Sequence, residues 1–353
     1  MLNGQRGIKR NFFTGKKLIF ILIILVAISI FLISTYSSNK PLTAVPTCGD
    51  GTFYSTCSLD KPYYCNDGTL IENVSACTCP SQLSQSGNSC VSIYQSGQES
   101  SAFNYVLNGQ NGSINVSLYK GLTTYLSILP KAINYNNGQP PMRADFKLLR
   151  INEPNQEVLI QPLIKEIQNL APDDKVTQAR IAISLVQNIP WGTSGKEVTF
   201  GGQTIVNSRY PYEVLYDNQG LCGEKSELLA KLLKDIGYGV ALFYYPTENH
   251  ETLGIKCPIE ESLNGTGYCF VETSGSSIIS DSSLIYSGGV MLSSSPEVIL
   301  ISNGISLPSG LPEYHDADVL ASLRSKGSLG PINSYTFRQL ENKYGLSKVY
   351  NID

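Results

Sequence analysis

Charge is scarce in this chain. Of its 353 residues only 16% are charged, and the formal net charge is −3. That leaves no electrostatic case for a nucleic-acid partner, which would need a basic surplus against the phosphates. Histidine is scarcer still, with only His250 and His315. No calcium-binding loop is present, no metal or cofactor is expected, and no internal repeat is found. What the chain has instead is 21 tyrosines, 31 glycines and many Ser and Asn, a polar, uncharged composition that suits an exported protein. The length allows one large domain or two modest ones.

One long apolar run stands out. From Leu18 to Ile33 the sequence is LIFILIILVAISIFLI, and adding Ser34, Thr35 and Tyr36 gives a stretch of 19 residues, 18–36. As a helix it is roughly 28 Å long, close to the ~30 Å hydrocarbon core of a bilayer. Arg6, Lys9, Arg10, Lys16 and Lys17 precede it with no acidic residue, whereas only Lys40 follows before the first cysteine. The positive-inside asymmetry predicts a single-pass anchor with a cytoplasmic basic tail, 1–17, and an extracellular remainder. A cleaved signal peptide is the competing reading, but no small-x-small site follows Ile33. Either way the rest of the chain is exported.

Nine cysteines fall into two groups. Cys48, Cys57, Cys65, Cys77, Cys79 and Cys90 crowd into 43 residues of polar sequence with too few aliphatics for a core. No histidine lies near them, so zinc is disfavoured. Three disulfides stapling a small module over 41–92 is the expectation, with 15 pairings open. Cys257 and Cys269 flank the polar loop SLNGTG and read as a disulfide at the mouth of a hairpin. Pairing them leaves Cys222 over; the alternative is that Cys222 itself pairs with Cys257 or Cys269. Four Asn-x-Ser/Thr sequons, at Asn73, Asn111, Asn115 and Asn264, fit a chain open to glycosylation.

Past a linker at 91–100, INVSLY (114–119) and TTYLSIL (123–129) suggest a small β region. Helical spacing runs over 156–170 and 174–189, the second preceded by acidic Asp173. The segment 221–236 places Leu228, Leu229, Leu232 and Leu233 on one stripe and Lys and Glu on the other, and Gly237 and Gly239 stop it. VALFYY (240–245), ETLGIKC (251–257) and CFVET (269–273) read as consecutive strands, giving an α+β domain. A strand and a short helix near 335–344 follow in a C-terminal extension, 291–353.

Cys222 opens the leucine-striped helix, where unpaired N–H groups and the helix dipole favour a thiolate. His250 begins the next hairpin and Glu272 lies on the strand after it. Thiol, base and orienting carboxylate are what nucleophilic acyl transfer needs. The bland alternatives are a small buried cysteine and a structural histidine. His315, in PEYHDAD, is the rival base and reads as a loop residue.

The stretch YPYEVLYDNQGLCGEKSELLAKLLKDIGYGVALF, followed by NHETLGIKC and GYCFVET, resembles the core motifs of transglutaminase-like domains in exported archaeal proteins. The resemblance covers roughly 100–290 and is tightest over 205–275. It implies a papain-like α+β fold with Cys222 as nucleophile, His250 as base and Glu272 as orienter. The family usually has Asp where this chain has Glu272, one methylene longer, so the backbone must stand farther from His250. ARIAISLVQNIPW resembles the helix before the catalytic one. Gln187 or Trp191 could then help bind an oxyanion, though neither matches a motif position. Tyr212 and Glu213 resemble scaffold residues.

These features imply a membrane-anchored extracellular thiol peptidase or amidase, acting on peptides or envelope polymers through a thioester. Transfer of the acyl group to lysine would make it a protein-crosslinking transglutaminase instead. A third reading is a non-catalytic adhesion protein on a degenerate thiol-enzyme fold. Substrate and oligomeric state are not legible.

Overall fold

The computed structural model describes residues 14–38, 46–80, 83–95, 97–130, 132–135, 138–193, 197–200, 203–206, 208–326 and 328–352. The start of the basic tail, with Arg6, Lys9 and Arg10, lies outside them. The chain divides into two compact units, 1–78 and 79–353.

In the first unit the apolar run forms one helix, α1 (Thr14–Ser38), and its described side chains between Ile19 and Leu32 are exposed. Among the described residues no helix is long and apolar enough to cross a membrane. After it, β1 (Tyr63–Asn66) and β2 (Thr69–Glu72) pair antiparallel. Asp67 and Gly68 join them with φ of 46° and 91°, the left-handed pair that a two-residue hairpin turn requires. A single turn, α2 (Val74–Cys77), is capped by the Asn73 side chain. Disulfides Cys48–Cys65 and Cys57–Cys77 substitute for a core in this unit.

The second unit begins with the third of the clustered disulfides, Cys79–Cys90, and the small hairpin β3 (Ser84–Ser86) and β4 (Ser89–Val91). A longer hairpin follows, β5 (Gln98–Leu107) and β6 (Gln110–Tyr119), so the segment expected as a linker already enters a strand at Gln98. On β6, Ile114, Val116 and Leu118 are buried while Asn115 and Ser117 are exposed, the period-2 alternation of a one-faced sheet.

The structure corrects the strand expected at 123–129. Lys120–Ile128 is a helix, α3. Leu122 and Leu126, four apart, are both fully buried, and the hydroxyls of Thr123 and Thr124 donate back to Lys120 O. An i,i+4 apolar pair thus prevails over the strand propensity of Thr-Thr-Tyr.

Helices α4 (Arg143–Ile151), α5 (Pro154–Leu170) and α6 (Lys175–Asn188) come next, α6 capped by the Asp174 carboxylate. A hairpin of β7 (Glu197–Phe200) and β8 (Gln203–Val206) leads to α7 (Pro211–Asp217) and α8 (Cys222–Ile236). Then β9 (Val240–Tyr245), β10 (His250–Lys256), β11 (Tyr268–Val271) and β12 (Glu297–Ser302) form one antiparallel sheet in the order β11-β10-β9-β12. Cys257 and Cys269 close the mouth of the β10–β11 hairpin as a disulfide. The unit is therefore α+β, with antiparallel sheets and disulfides.

Helix α8 is the buried centre. Its leucine stripe packs into the main core, and its charged stripe is buried too. Glu224 pairs with Arg209, Glu227 with Lys147 and Arg150, and Lys231 with Glu157 and Asp235. A helix held by ion pairs on its polar side and by leucines on the other has no solvent face.

Two helices end the unit, α9 (Pro312–Arg324) and α10 (Pro331–Tyr344). PEYHDAD is therefore helical, a second correction. Pro312 occupies the first turn, where its missing N–H costs nothing, and Glu313 in that turn pairs with Arg180. Of the sequon residues, Asn111, Asn115 and Asn264 are exposed and Asn73 is half-buried.

Candidate active site

Cys222 is the first residue of α8, is fully buried, and is in no disulfide. The entry to the helix is fixed from behind. Glu224 accepts from the N–H of Leu221 at 2.9 Å and from that of Arg209 at 2.6 Å. Gly220 and Gly223 are small for cause: a Cβ at Gly220 would meet Lys225 Cγ at 3.0 Å, and one at Gly223 would meet Glu251 Oε1 at 3.3 Å.

His250 begins β10 opposite Tyr245 of β9. Glu272 lies one residue past β11, where the chain leaves the sheet. Both side chains are fully buried, and His250 Nε2 lies 3.0 Å from Glu272 Oε2. The same oxygen accepts from Tyr286 OH at 2.5 Å, while Oε1 accepts from the N–H groups of Thr273 (2.9 Å) and Ser274 (2.7 Å). Burial alone would raise the Glu272 pKa. The hydrogen bond and charge of His250, with the bonds from Tyr286 and Ser274, prevail and hold it below the ordinary carboxylate value. An ionised Glu272 fixes the imidazole proton on Nε2. Nδ1 is left buried with no hydrogen-bond partner and carries a lone pair in that tautomer.

Three hydroxyl contacts tie the first turn of α8 to the ends of these strands. Thr273 Oγ1 donates to Cys222 O at 3.1 Å and lies 2.9 Å from Ser226 Oγ. Ser226 Oγ in turn reaches Glu251 O at 3.2 Å. A small cavity opens beside them, lined by His250, Leu221, Gly223, Asn249, Glu251 and Lys147. Lys147 bonds Glu251 there at 2.8 Å. Burial and the charge of Glu227 outweigh Lys147 and raise the Glu251 pKa.

The residues singled out beside Cys222, His250 and Glu272 fall differently. Gln187 Nε2 donates to Glu272 O at 2.9 Å and to Ser277 O at 3.3 Å, so its amide is committed to positioning the Glu272 backbone. Trp191 bridges Gly220, and its indole N–H is buried without an acceptor. Tyr212 OH accepts from Tyr119 N at 2.6 Å, and Glu213 Oε2 accepts from Tyr210 N, both scaffold contacts. His315 is exposed on α9, outside this group.

Two participants escape sequence reasoning. Tyr286 comes from a loop with no periodicity, and nothing local marks it as the partner of Glu272. Lys225, three residues past Cys222, reads as one more charge on a polar stripe. It is fully buried, and its ammonium donates to Ile189 O at 2.5 Å and Gln187 O at 3.3 Å. Burial pushes its pKa down to about 8, against the opposing charges of Cys222 and Glu272.

No family model and no curated protein matches the chain. A solved structure described as a "putative protease" from Parabacteroides distasonis aligns with 61% of this chain at 14% identity and a TM-score of 0.26. The chain spans only 41% of that protein's length, and a likeness of this size bears on neither fold nor chemistry.

Proposed function

We propose that this chain is a thiol peptidase or amidase of the transglutaminase-like, papain-like kind, with Cys222 as nucleophile, His250 as base and Glu272 as orienter. The observation that carries the reading is the buried His250–Glu272 pair. One imidazole nitrogen is spoken for and the other is open, beside a helix that begins at a cysteine outside every disulfide.

The chemistry follows from those groups. The thiol proton passes to His250 Nδ1, and the thiolate, favoured by the helix N-terminus and by the Lys225 ammonium, attacks an amide carbon. The tetrahedral oxyanion needs donors, and the Trp191 indole N–H, buried without an acceptor, is the group we assign to that task. The imidazolium, stabilised by Glu272, then gives its proton to the departing amine and leaves a thioester. Water, deprotonated by the same imidazole, releases the acid.

The membrane reading belongs with this proposal. An apolar helix whose described side chains are all exposed, after a basic flank, suits a lipid environment better than water. The remainder of the chain would then face outside, where its four disulfides are stable. Its substrates would be extracellular peptides or envelope polymers.

The test is the rate of Cys222 alkylation against pH, located by mass spectrometry, in the parent and in His250→Ala. Labelling that is rapid below pH ~7 and slows in the variant is expected for a base-activated thiolate. A profile rising only near the free-thiol value of ~8.5 in both proteins would overturn the assignment.

A further inference from the structure

The residues that follow α10 lie over the candidate nucleophile. Ser347 exchanges two hydrogen bonds with Ser276: its N–H donates to Ser276 O at 2.9 Å, and its hydroxyl accepts from Ser276 N at 2.7 Å. Three residues on, Tyr350 O accepts from Ser287 N at 2.8 Å, and Tyr350 OH donates to Ser276 O at 2.7 Å. The Tyr350 ring is buried among Phe243, Tyr245, Phe270, Leu284 and Tyr286. It stands edge-on to Tyr286 at 6.3 Å, and Tyr286 is the residue that bonds Glu272. Gly275 leaves the room for it, since a Cβ there would meet Ser347 Oγ at 2.8 Å and Tyr350 Cδ1 at 3.2 Å. One residue later, Cys222 Sγ donates to the carbonyl oxygen of Asn351 at 3.4 Å.

Main-chain bonds at two positions, one side chain in an apolar pocket, and a main-chain carbonyl on the sulfur are how an extended peptide engages a binding groove. The carbonyl is nevertheless turned away from reaction. Its oxygen takes the thiol proton's hydrogen bond, while His250 Nδ1 receives none. In a productive complex the oxygen would face N–H donors and the sulfur would face the carbon.

We propose that the groove holding Ser347–Ile352 is the peptide subsite of this centre, that it selects an aromatic residue immediately before the residue presented to Cys222, and that the chain's own segment occupies it as a competitive cover. The proposal rests on the thiol-amidase reading for its catalytic meaning, but the groove and its occupant are separable from the chemistry. It commits that reading to substrates engaged through the main chain with a tyrosine- or phenylalanine-like residue in the pocket. It also explains why Cys222 is fully buried in a centre that must admit a substrate.

Alkylation of Cys222 at a single pH tests the cover in the full chain, comparing the parent with Tyr350→Ala and Ser347→Pro. The second variant removes an N–H donor and leaves the aromatic pocket intact. Both are expected to label faster, Tyr350→Ala by about tenfold or more, the factor that ~1.4 kcal/mol of lost segment binding gives. A synthetic peptide of sequence SKVYNI should slow labelling of either variant again, and the same peptide with alanine for its tyrosine should not. An unfolded variant would show no such protection, so Ser347→Pro with the peptide decides the matter. Unchanged labelling in Ser347→Pro, or equal protection by both peptides, overturns the proposal. In a His250→Ala background the cover effect should persist although base activation is gone, which separates failure of this inference from failure of the enzyme reading.

Discussion

Thr273 donates its hydroxyl to the main-chain carbonyl of Cys222 at 3.1 Å. The residue after Glu272 thus grips the residue that carries the thiol, and a strand end and a helix start are held in one register. Ser226 Oγ, 2.9 Å from the same hydroxyl, extends the grip to the carbonyl of Glu251. Cys222, His250 and Glu272 come from three segments, and these hydroxyls tie the first turn of α8 to the strand ends that carry the other two.

Thr273→Val keeps the shape and removes the hydroxyl. It leaves the Cys222 carbonyl without this partner, which costs about 1–3 kcal/mol for a buried group. The urea midpoint should fall with the slope unchanged, and alkylation of Cys222 should slow several-fold at pH 7. A lowered midpoint with unaltered labelling would mean that the clasp stabilises the fold but does not register the site.

Acid should weaken the protein through Glu272. Its pKa in the folded state lies below the ordinary 4.5, because the bonds from His250, Tyr286 and Ser274 outweigh burial. A depressed carboxylate contributes stability that is present above the unfolded value and is lost as pH falls through the folded one. Glu272→Gln removes that component. The stability gap between parent and variant should therefore be widest near pH 7 and shrink toward pH 3, read from denaturant midpoints at pH 7, 5 and 3. Tyr286→Phe, which deletes only the 2.5 Å bond, should move the acid limb of the parent curve upward in pH.

Lys225 should act at the other end of the scale. Its folded pKa is about 8 against an ordinary 10.5, so between those values the unfolded chain binds more protons and stability rises with pH. Below about 8 the full cost of the buried ammonium is present. Lys225→Met should flatten that alkaline rise in unfolding midpoints from pH 7.5 to 10. The same variant should label Cys222 more slowly at pH 7, because the charge that favours the thiolate is gone. An unchanged labelling rate would reduce Lys225 to a clamp on the carbonyls of Gln187 and Ile189.

Much of the unit's centre was legible because its periodicities are strong. Leu228, Leu229, Leu232 and Leu233 mark α8, the runs from 240 to 273 mark three strands, and Gly237 ends the helix with φ of 113°. The disulfide Cys257–Cys269 could be read from the loop it spans. What failed depended on packing. Thr123, Thr124 and Tyr125 have strand propensity, yet two leucines four apart had a core to enter and wound the segment into α3. His315 looked like a loop residue because PEYHDAD is polar, although Pro312 is a sound first-turn residue. Tyr286, Lys225 and the 346–352 segment could not be assigned at all, since each meets the site only through the tertiary fold.

Eight of the nine cysteines are paired, and the ninth carries its sulfur under the Asn351 carbonyl with no surface exposed. A mixed disulfide or a sulfenic acid forms only when the reagent touches the sulfur. Ageing of this thiol is therefore a gated process. Once oxidant is plentiful, adding more does not hasten the damage, and the clock is set by how often the segment carrying Asn351 lifts from the sulfur.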